Sequence, residues 1–530
     1  VEKKMRAETA RDDCIGRLAS AIPEERLLID EASRRLFGQD ISGDAAMPLL
    51  VVQPATTEEL AEVVRVLSPL DVVFVPRGGG MSYSSGYVCQ RDGVVCIDTG
   101  AMADVLDINT DDMYVTVQAG CSWRRLHEAL EPLGVRTPFW GTLSGMKATV
   151  GGSLSQNSIF WGSCRYGSAA DSVIGFDVVL ADGEILRTGA AAHTASTPFF
   201  RHYGPDLTGL FTADSGALGL KATATLKLIP AAEARAFVSF DFERHDQLLA
   251  AMSEVSRRRL AEACFGMDPR LQAVRKQRDS LMSDARALKG VMTGQGSLLR
   301  GLKEAGRVAL AGRGFMDEER FAVHYVVEEA TEAAALAGAE RIGDICLAAG
   351  GREIENSVPK IIRASPFGPL NGMVGPGGER WLPIHGLMPH SKAVRVYEAV
   401  ESLFAANADA MEAHGIFHAF LLSSIDGQCI VLEPIFYWRD ALLDLHRATL
   451  EAATLKRIDR YEENPAAYAE VLRIREELVR LLSSLGAVHL QIGRRYPFLA
   501  GISPQARELV ADLKKCLDPH RRINPGALGL

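Results

Sequence analysis

Apolar and polar positions follow two rhythms along the first 230 residues. Short apolar runs bounded by turn residues predict strands, and stretches with apolar residues every three to four positions predict helices. Thr56-Thr57-Glu58-Glu59 reads as a capping box opening an amphipathic helix from Leu60 to Leu67, which leads into the apolar run Val72-Val73-Phe74-Val75 to give a βαβ unit. Residues 14 to 36 read as a helix. Asp182-Gly183 is a hairpin signal between Val178-Val179-Leu180 and Ile185-Leu186, and Asp92-Gly93 marks a turn before Val94-Val95-Cys96-Ile97. After Pro230 the texture changes. A strand from Ala236 to Phe240, a helix from about 246 to 262, a Gly-rich stretch at 294–314, a strand from Phe321 to Val327 and a helix to about 348 follow one another, and the pattern recurs over 386–431. This predicts a second domain with a sheet and helices on one face. Long charged helices are expected at about 438–457 and 465–485. The whole is an α+β chain without internal repeats.

At 530 residues and 47% hydrophobic composition, the chain is long enough for two or three domains with substantial cores. Its net charge of −9 comes from interspersed acidic and basic residues, which argues against nucleic acid or anionic lipid as a partner. Nine scattered cysteines without CxxC spacing fit reduced thiols in a cytoplasm. The opening VEKKMRAETARDD is too polar for a signal peptide, and no apolar run approaches 18 residues, so no membrane span is expected.

Three glycine clusters carry the candidate chemistry. The first is Pro76-Arg77-Gly78-Gly79-Gly80-Met81-Ser82-Tyr83-Ser84-Ser85-Gly86. The second is Thr149-Val150-Gly151-Gly152-Ser153, followed by Asn157, Tyr166-Gly167 and Asp171, and the third runs from Gly204-Pro205-Asp206-Leu207 to Gly216-Ala217-Leu218-Gly219-Leu220. Glycine permits positive φ and close approach, so successive amides of the first loop can form a concave anion site without a lysine. Neither GxxxxGK[ST] nor a helix-opening GxGxxG is present. In this order and spacing, over roughly residues 45 to 230, the clusters resemble the FAD-binding domain of the vanillyl-alcohol oxidase superfamily, which includes FAD-linked D-lactate and glycolate dehydrogenases. The terminal Asp518-Pro519-His520-Arg521-Arg522-Ile523-Asn524-Pro525-Gly526 resembles the DPxxxxNPG signature that closes such chains.

The resemblance implies an FAD-binding domain of the p-cresol methylhydroxylase type, made of two α/β subdomains, over residues 1–230. An α/β cap domain with an antiparallel sheet would occupy 231–488, and a segment at 489–530 would return to the flavin. It implies that Gly78, Gly79, Gly80, Met81 and Ser82 hold the pyrophosphate, that Gly151, Gly152 and Ser153 lie along the cofactor, and that Gly219 and Leu220 approach the adenine. Pro76, Arg77, Gly86, Thr149, Asn157, Tyr166, Gly167 and Asn524 complete the expected cofactor-binding set. Relatives that attach flavin covalently use a histidine in the first loop, a cysteine just before the second, or a cap histidine. The loop here has no histidine and Lys147 stands at the cysteine position, so non-covalent FAD is expected, with attachment to a cap histidine left open.

For catalysis the resemblance points to the late segment. His489 is the candidate base, with Arg494, Arg495 and Tyr496 as candidate donors to an anionic substrate. His385, His390 and Glu433 could be read as a zinc set, but Pro389 breaks helical pairing and the GHxGDGNxH block of metal-dependent relatives is missing, so no metal is expected. The WLPIHG and EPIFYW stretches are expected to line the cap and substrate channel. The implied activity is an FAD-dependent oxidoreductase removing hydride from a hydroxyl-bearing carbon of a small 2-hydroxy acid or alcohol, with dioxygen, quinone or a cytochrome as acceptor. The alternatives are a 4-substituted phenol or aromatic alcohol oxidase, and a non-catalytic flavin-binding or electron-transfer subunit. The phenol branch places tyrosine where Met81 stands, although Tyr83 is close, and many relatives have glutamate at the position of Ser215. A homodimer is open.

Overall fold

The computed structural model describes residues 11–70, 72–278 and 319–530. Its first sheet contains β1 (Leu27–Leu28), β2 (Leu50–Val52), β3 (Val73–Arg77) and β4 (Val94–Asp98) in the order β1-β2-β4-β3. β2 and β3 both run parallel to β4, and β1 is antiparallel to β2. Helix α1 (Thr57–Leu67) makes the crossover, opened by Thr56, whose hydroxyl accepts from the Glu59 amide. Its apolar stripe of Leu60, Val63, Val64 and Leu67 packs against both Phe74 of this sheet and Leu220 and Ala222 of the next. The helix expected over 14–36 is two pieces. Residues 11–18 and Glu31–Phe37 are helical, and Pro23, which has no amide to donate, separates them.

The second sheet is antiparallel and contains β5 (Val105–Asn109), β6 (Tyr114–Gln118), β7 (Val173–Val179), β8 (Ile185–Arg187) and β9 (Leu220–Lys227), in the order β8-β7-β9-β6-β5. The β7–β8 hairpin turns at Asp182-Gly183, where Gly183 has φ +83°. Helices α2 (Trp123–Leu130) and α3 (Val150–Gln156) lie between β6 and β7 in the chain.

The second domain is built on one eight-stranded antiparallel sheet. Its elements are β10 (Ala234–Phe242), α4 (His245–Arg257), β11 (Ala263–Met267), α5 (Pro269–Arg278), β12 (Phe321–Glu329), α6 (Glu332–Ala348), β13 (Arg352–Glu353), α7 (Ser357–Ala364), β14 (Arg380–Pro383), β15 (Gly386–Pro389), α8 (Ala393–Ala406), β16 (Phe417–Ile425), β17 (Cys429–Trp438) and α9 (Pro465–Ser484). The order is β13-β10-β12-β11-β16-β17-β14, with β15 also pairing with β17. Ile430, Leu432, Phe436 and Trp438 of β17 join one large apolar cluster with residues of α4, α6, α8 and α9. Alternate residues of the same strand face the opposite way.

Two expectations fail here. The helix placed over 246–262 ends at Arg257 and the chain re-enters the sheet at Ala263, because Ala263 to Met267 is a fully buried run that pairs with β12. The helix placed over 438–457 is also absent, since Trp438 ends β17 and only the short helices Asp444–Arg447 and Ala452–Ile458 follow. The Gly-rich stretch 294–314 lies outside the described residues.

The last segment returns to the first domain. The Phe74 amide donates to Arg522 O at 2.9 Å and Phe74 O accepts from the Asn524 amide at 2.8 Å, so residues 522–524 add to the free edge of β3. Helix α10 (Pro504–Leu517) precedes this contact, and its buried Lys514 ammonium donates to Asp518 Oδ2 at 2.6 Å, Ala217 O at 2.7 Å and Ile523 O at 2.8 Å. Among the described residues no helix is long and apolar enough to cross a membrane.

His324 in β12 tests the core of the second domain. Its ring is enclosed, meets the Ser239 hydroxyl at 2.8 Å, and is held neutral by burial, with its pKa pushed down to about 3. The unfolded chain takes up a proton below about pH 6.5 that the folded chain refuses until about pH 3, so this residue lowers stability as pH falls through that window. Denaturant unfolding of His324→Gln across this range is expected to show a slope shallower than wild type by about 1.4 kcal/mol per pH unit. An unchanged slope would show that the imidazole titrates alike in both states.

Candidate functional site

A cavity of about 1110 Å³ runs between the glycine clusters and the sheet of the second domain. Such a volume exceeds the 300 to 1,000 Å³ or so of pockets for drug-sized ligands, which suits a dinucleotide with a substrate beside it. Pro76, Arg77, Gly78, Gly79, Gly80, Met81 and Ser82 line it from the loop after β3, Thr149, Gly151, Gly152 and Ser153 from the start of α3, and Gly219 from the start of β9. Among the described residues nothing accepts a hydrogen bond from the amides of Gly79, Gly80, Met81 or Ser82. Those amides can therefore serve an anion.

Each glycine has its own reason. A Cβ on Gly79 would stand 1.8 Å from Lys147 O, and one on Gly78 would stand 2.4 Å from Thr149 Oγ1. Gly80 has φ +71° and rests on the Arg77 guanidinium. Arg77 itself is a buried prop for the loop, donating to Phe37 O and Gln39 O with its guanidinium 4.9 Å from both the Phe37 and Tyr87 rings. Gly152 meets only Thr149 Oγ1, at 3.0 Å, and leaves its other sides open. The donor set and the cradle fit FAD.

Six of the expected cofactor residues do not line the cavity. Gly86 is a close-packing position, where a Cβ would meet Gln156 Nε2 at 2.5 Å. Asn157 ends α3 with φ +52° and accepts from the Ala170 amide. The Tyr166 ring lies 5.3 Å from the Arg136 guanidinium, and Gly167, with φ +93°, packs on Asp171. Leu220 belongs to the core. Asn524 is fully enclosed and donates to Gly86 O at 2.8 Å and Ser215 O at 2.7 Å, while its Oδ1 accepts from Arg494 at 2.5 Å.

The late segment also differs from expectation. His489 does not reach the cavity, and its Nδ1–H donates to His385 O at 2.6 Å. Burial pushes its pKa down to about 4. Tyr496 stacks on His489 at 4.4 Å, and its hydroxyl accepts from the His385 amide at 3.1 Å. The two rings thus hold both backbone polar groups of His385. Arg494 donates to Ser85 O, Asn524 Oδ1 and Pro525 O, and Arg495 to the Ser85 hydroxyl, so neither guanidinium is presented to the cavity. These residues pack behind the wall because the 489–497 segment threads between α9 and the first glycine loop.

The polar group on the wall is a different one. His385, 2% exposed in the link between β14 and β15, places Nε2 2.7 Å from the Tyr83 hydroxyl and 3.1 Å from Glu433 Oε2. Gln491 Nε2 donates to the Tyr83 oxygen at 3.1 Å, and Ser82 Oγ donates to Gln491 Oε1 at 3.0 Å. Burial, with the Glu433 carboxylate beside it, holds the Tyr83 phenol well above its usual range, so it stays protonated. Trp381 sets its ring against Tyr83 at 5.4 Å. All of these line the cavity. No spacing in the sequence joins residues 83, 385, 433 and 491, although the WLPIHG and EPIFYW stretches supply Trp381, His385, Glu433, Ile435 and Tyr437 to its wall. His390 lies beyond β15, with its Nε2 3.1 Å from Gly427 O. Lys147 donates to Ala448 O and Thr449 Oγ1 of the second domain.

Comparison with known proteins agrees with this geometry. Residues 48–189 match the FAD binding domain family. The chain is 31% identical over 226 residues to the glycolate oxidase subunit GlcD of Bacillus subtilis, covering 42% of this chain and 46% of that protein. It is 30% identical over 217 residues to D-lactate dehydrogenase [cytochrome] 1 of Saccharomyces cerevisiae, covering 40% and 35%. The match thus spans about half or less of the length of these curated relatives. Over the whole chain the fold is similar to that of p-cresol methylhydroxylase, with a TM-score of 0.74 at 16% identity, covering 98% of this chain and 97% of that one. It is also similar to alkyldihydroxyacetonephosphate synthase, with a TM-score of 0.69 at 15% identity, covering 97% and 85%. The chain thus has a flavoprotein fold. Its residues 48–189 match an FAD binding domain, and FAD is its cofactor.

Replacing Gly79 by Val is expected to abolish FAD retention, because the new Cβ collides with the Lys147 carbonyl and the loop must move. The flavin-to-protein absorbance ratio after gel filtration checks this, and a normal ratio would place the cofactor elsewhere.

Proposed function

We propose that the protein is an FAD-dependent oxidoreductase that removes hydride from a hydroxyl-bearing carbon of a 2-hydroxy acid or similar alcohol. The observation that carries this reading is the Tyr83–His385–Glu433 group on the cavity wall. When bound, FAD supplies the hydride acceptor. The chain's own residues manage one proton. With the His385 proton on Nδ1, and with Gln491 donating to the Tyr83 oxygen, the phenol proton points at His385 Nε2. A substrate hydroxyl that donates to the same phenol oxygen can pass its proton to Tyr83 as Tyr83 passes its own to His385. The resulting imidazolium faces the Glu433 carboxylate at 3.1 Å, which stabilises it. The ordered sharing of amide and carbonyl contacts by Tyr496 and His489 keeps the imidazole in place during the transfer.

A second reading, oxidation of a 4-substituted phenol, is favoured by the aromatic wall of Trp381 and Tyr437. The electron acceptor is dioxygen, a quinone or a cytochrome. FAD is held without a covalent bond in this reading, since the loop has no histidine and the Lys147 amine is engaged with the 448–449 turn, and attachment through a histidine of the second domain is the alternative.

Acid precipitation is expected to release intact FAD into the supernatant, and flavin pelleting with the protein would overturn the non-covalent reading. Anaerobic mixing with glycolate, D-lactate, D-2-hydroxyglutarate and 4-ethylphenol should bleach the flavin with a 2-hydroxy acid, and bleaching by the phenol alone would favour the second reading. His385→Ala should slow that reduction by roughly 10² to 10⁴, the range of a lost acid–base group. His489→Ala should slow it less, and Arg495→Ala should leave substrate affinity unchanged. An unaltered rate in His385→Ala would remove this histidine from the chemistry.

A further inference from the structure

The cavity continues past the acid–base group along the sheet of the second domain. β17 turns Val431, Glu433, Ile435 and Tyr437 toward it. At about 3.4 Å per residue in an antiparallel strand, Tyr437 lies roughly 14 Å along the strand from Glu433. Over that length apolar side chains predominate. Leu421 of β16 stands opposite Glu433, Leu271 enters from α5, Ile361 and Ile362 from α7, and Phe160 from the first domain. Arg275 also lines the cavity, one turn beyond Leu271.

These side chains form a compact cluster of their own, in which Ile435 and Tyr437 pack with Leu271, Phe265, Met267 and Val358, with Phe160, Ile362 and Leu421 at its margin. It is separate from the larger core on the helix side of the sheet. A glycolate or lactate molecule would touch little of it. An extended apolar group attached to the reacting carbon would cover the partly exposed Phe160, Ile361, Ile362 and Leu421.

We infer that the substrate carries its hydroxyl-bearing carbon on an elongated apolar side chain, longer than the methyl of lactate, which lies along β17 between Glu433 and Tyr437. This rests on the function proposed above. Two readouts on the FAD-loaded protein separate the two ideas. In the first, straight-chain carboxylates from acetate to decanoate, which have the chain but no oxidisable hydroxyl, are titrated by calorimetry. Affinity should rise about fourfold per added methylene until the apolar stretch is filled and then level off. Ile435→Asn should flatten the series while the flavin content stays normal. In the second, D-2-hydroxy acids of the same lengths are mixed anaerobically with the protein, and longer members should bleach the flavin at lower concentrations than D-lactate. Affinity independent of chain length in the wild-type protein overturns the inference, whatever the bleaching result. A chain-length series in binding with no bleaching by any hydroxy acid supports the apolar subsite and overturns the proposed reaction instead.

Discussion

The buried side chain of Asn524 holds together the loops on which the cofactor site depends. Its one amide group reaches Gly86 O, Ser215 O and the Arg494 guanidinium, three points that are far apart in the chain. A hydrogen bond of this kind, enclosed and away from water, has no solvent competitor, and removing one partner leaves several buried polar groups unpaired. Asn524 also sits at φ +44°, a conformation that asparagine tolerates better than most residues. The neighbouring Lys514 ammonium and Asp518 carboxylate hold the preceding turn in the same way, with the carboxylate also accepting from the Arg522 and Ile523 amides. The chain's end therefore acts as a fastening for its beginning, and the first glycine loop gains its shape from residues more than 400 positions away.

The acid–base group shows the same division between residues that face the cavity and residues that hold them. His385 lies in a short link between two strands, where nothing in the local ladder would fix its orientation. Tyr496 accepts from its amide and His489 donates to its carbonyl, and the stacking of those two rings makes them one unit. Arg475 continues the support, with its guanidinium 4.9 Å from the Tyr496 ring and a hydrogen bond to Arg495 O. Neutral His489 suits this task, since burial disfavours a charge there and its proton is committed to the His385 carbonyl.

The glycine clusters were legible because their chemistry is local: consecutive amides around an anion need glycine at consecutive positions, and the loop after β3 and the start of α3 both line the cavity. The capping box at Thr56 and the hairpin at Asp182-Gly183 were legible for the same reason. Contacts between distant segments were not. Tyr83, His385, Glu433 and Gln491 meet only through the packing of two domains, and each alone has an ordinary setting in the sequence. His489 and the arginines after it attracted attention by residue type, but which side of a wall a residue occupies depends on how its segment threads. The strand at Ala263 was hidden for a related reason: a buried run of five residues after a helix carries no periodicity of its own to separate it from the helix's end.

Strand β17 alternates between two environments that do not mix. Ile430, Leu432, Phe436 and Trp438 belong to the core beneath the helices, whereas Val431, Glu433, Ile435 and Tyr437 border the cavity. A change at one of the cavity positions therefore alters what the site accepts without opening a void in the main core, and a change on the other side risks the fold without retuning selectivity. One strand thus separates what the site accepts from what the large core requires, and because Val431, Ile435 and Tyr437 are packed in smaller clusters of their own, Glu433 is the position most open to change.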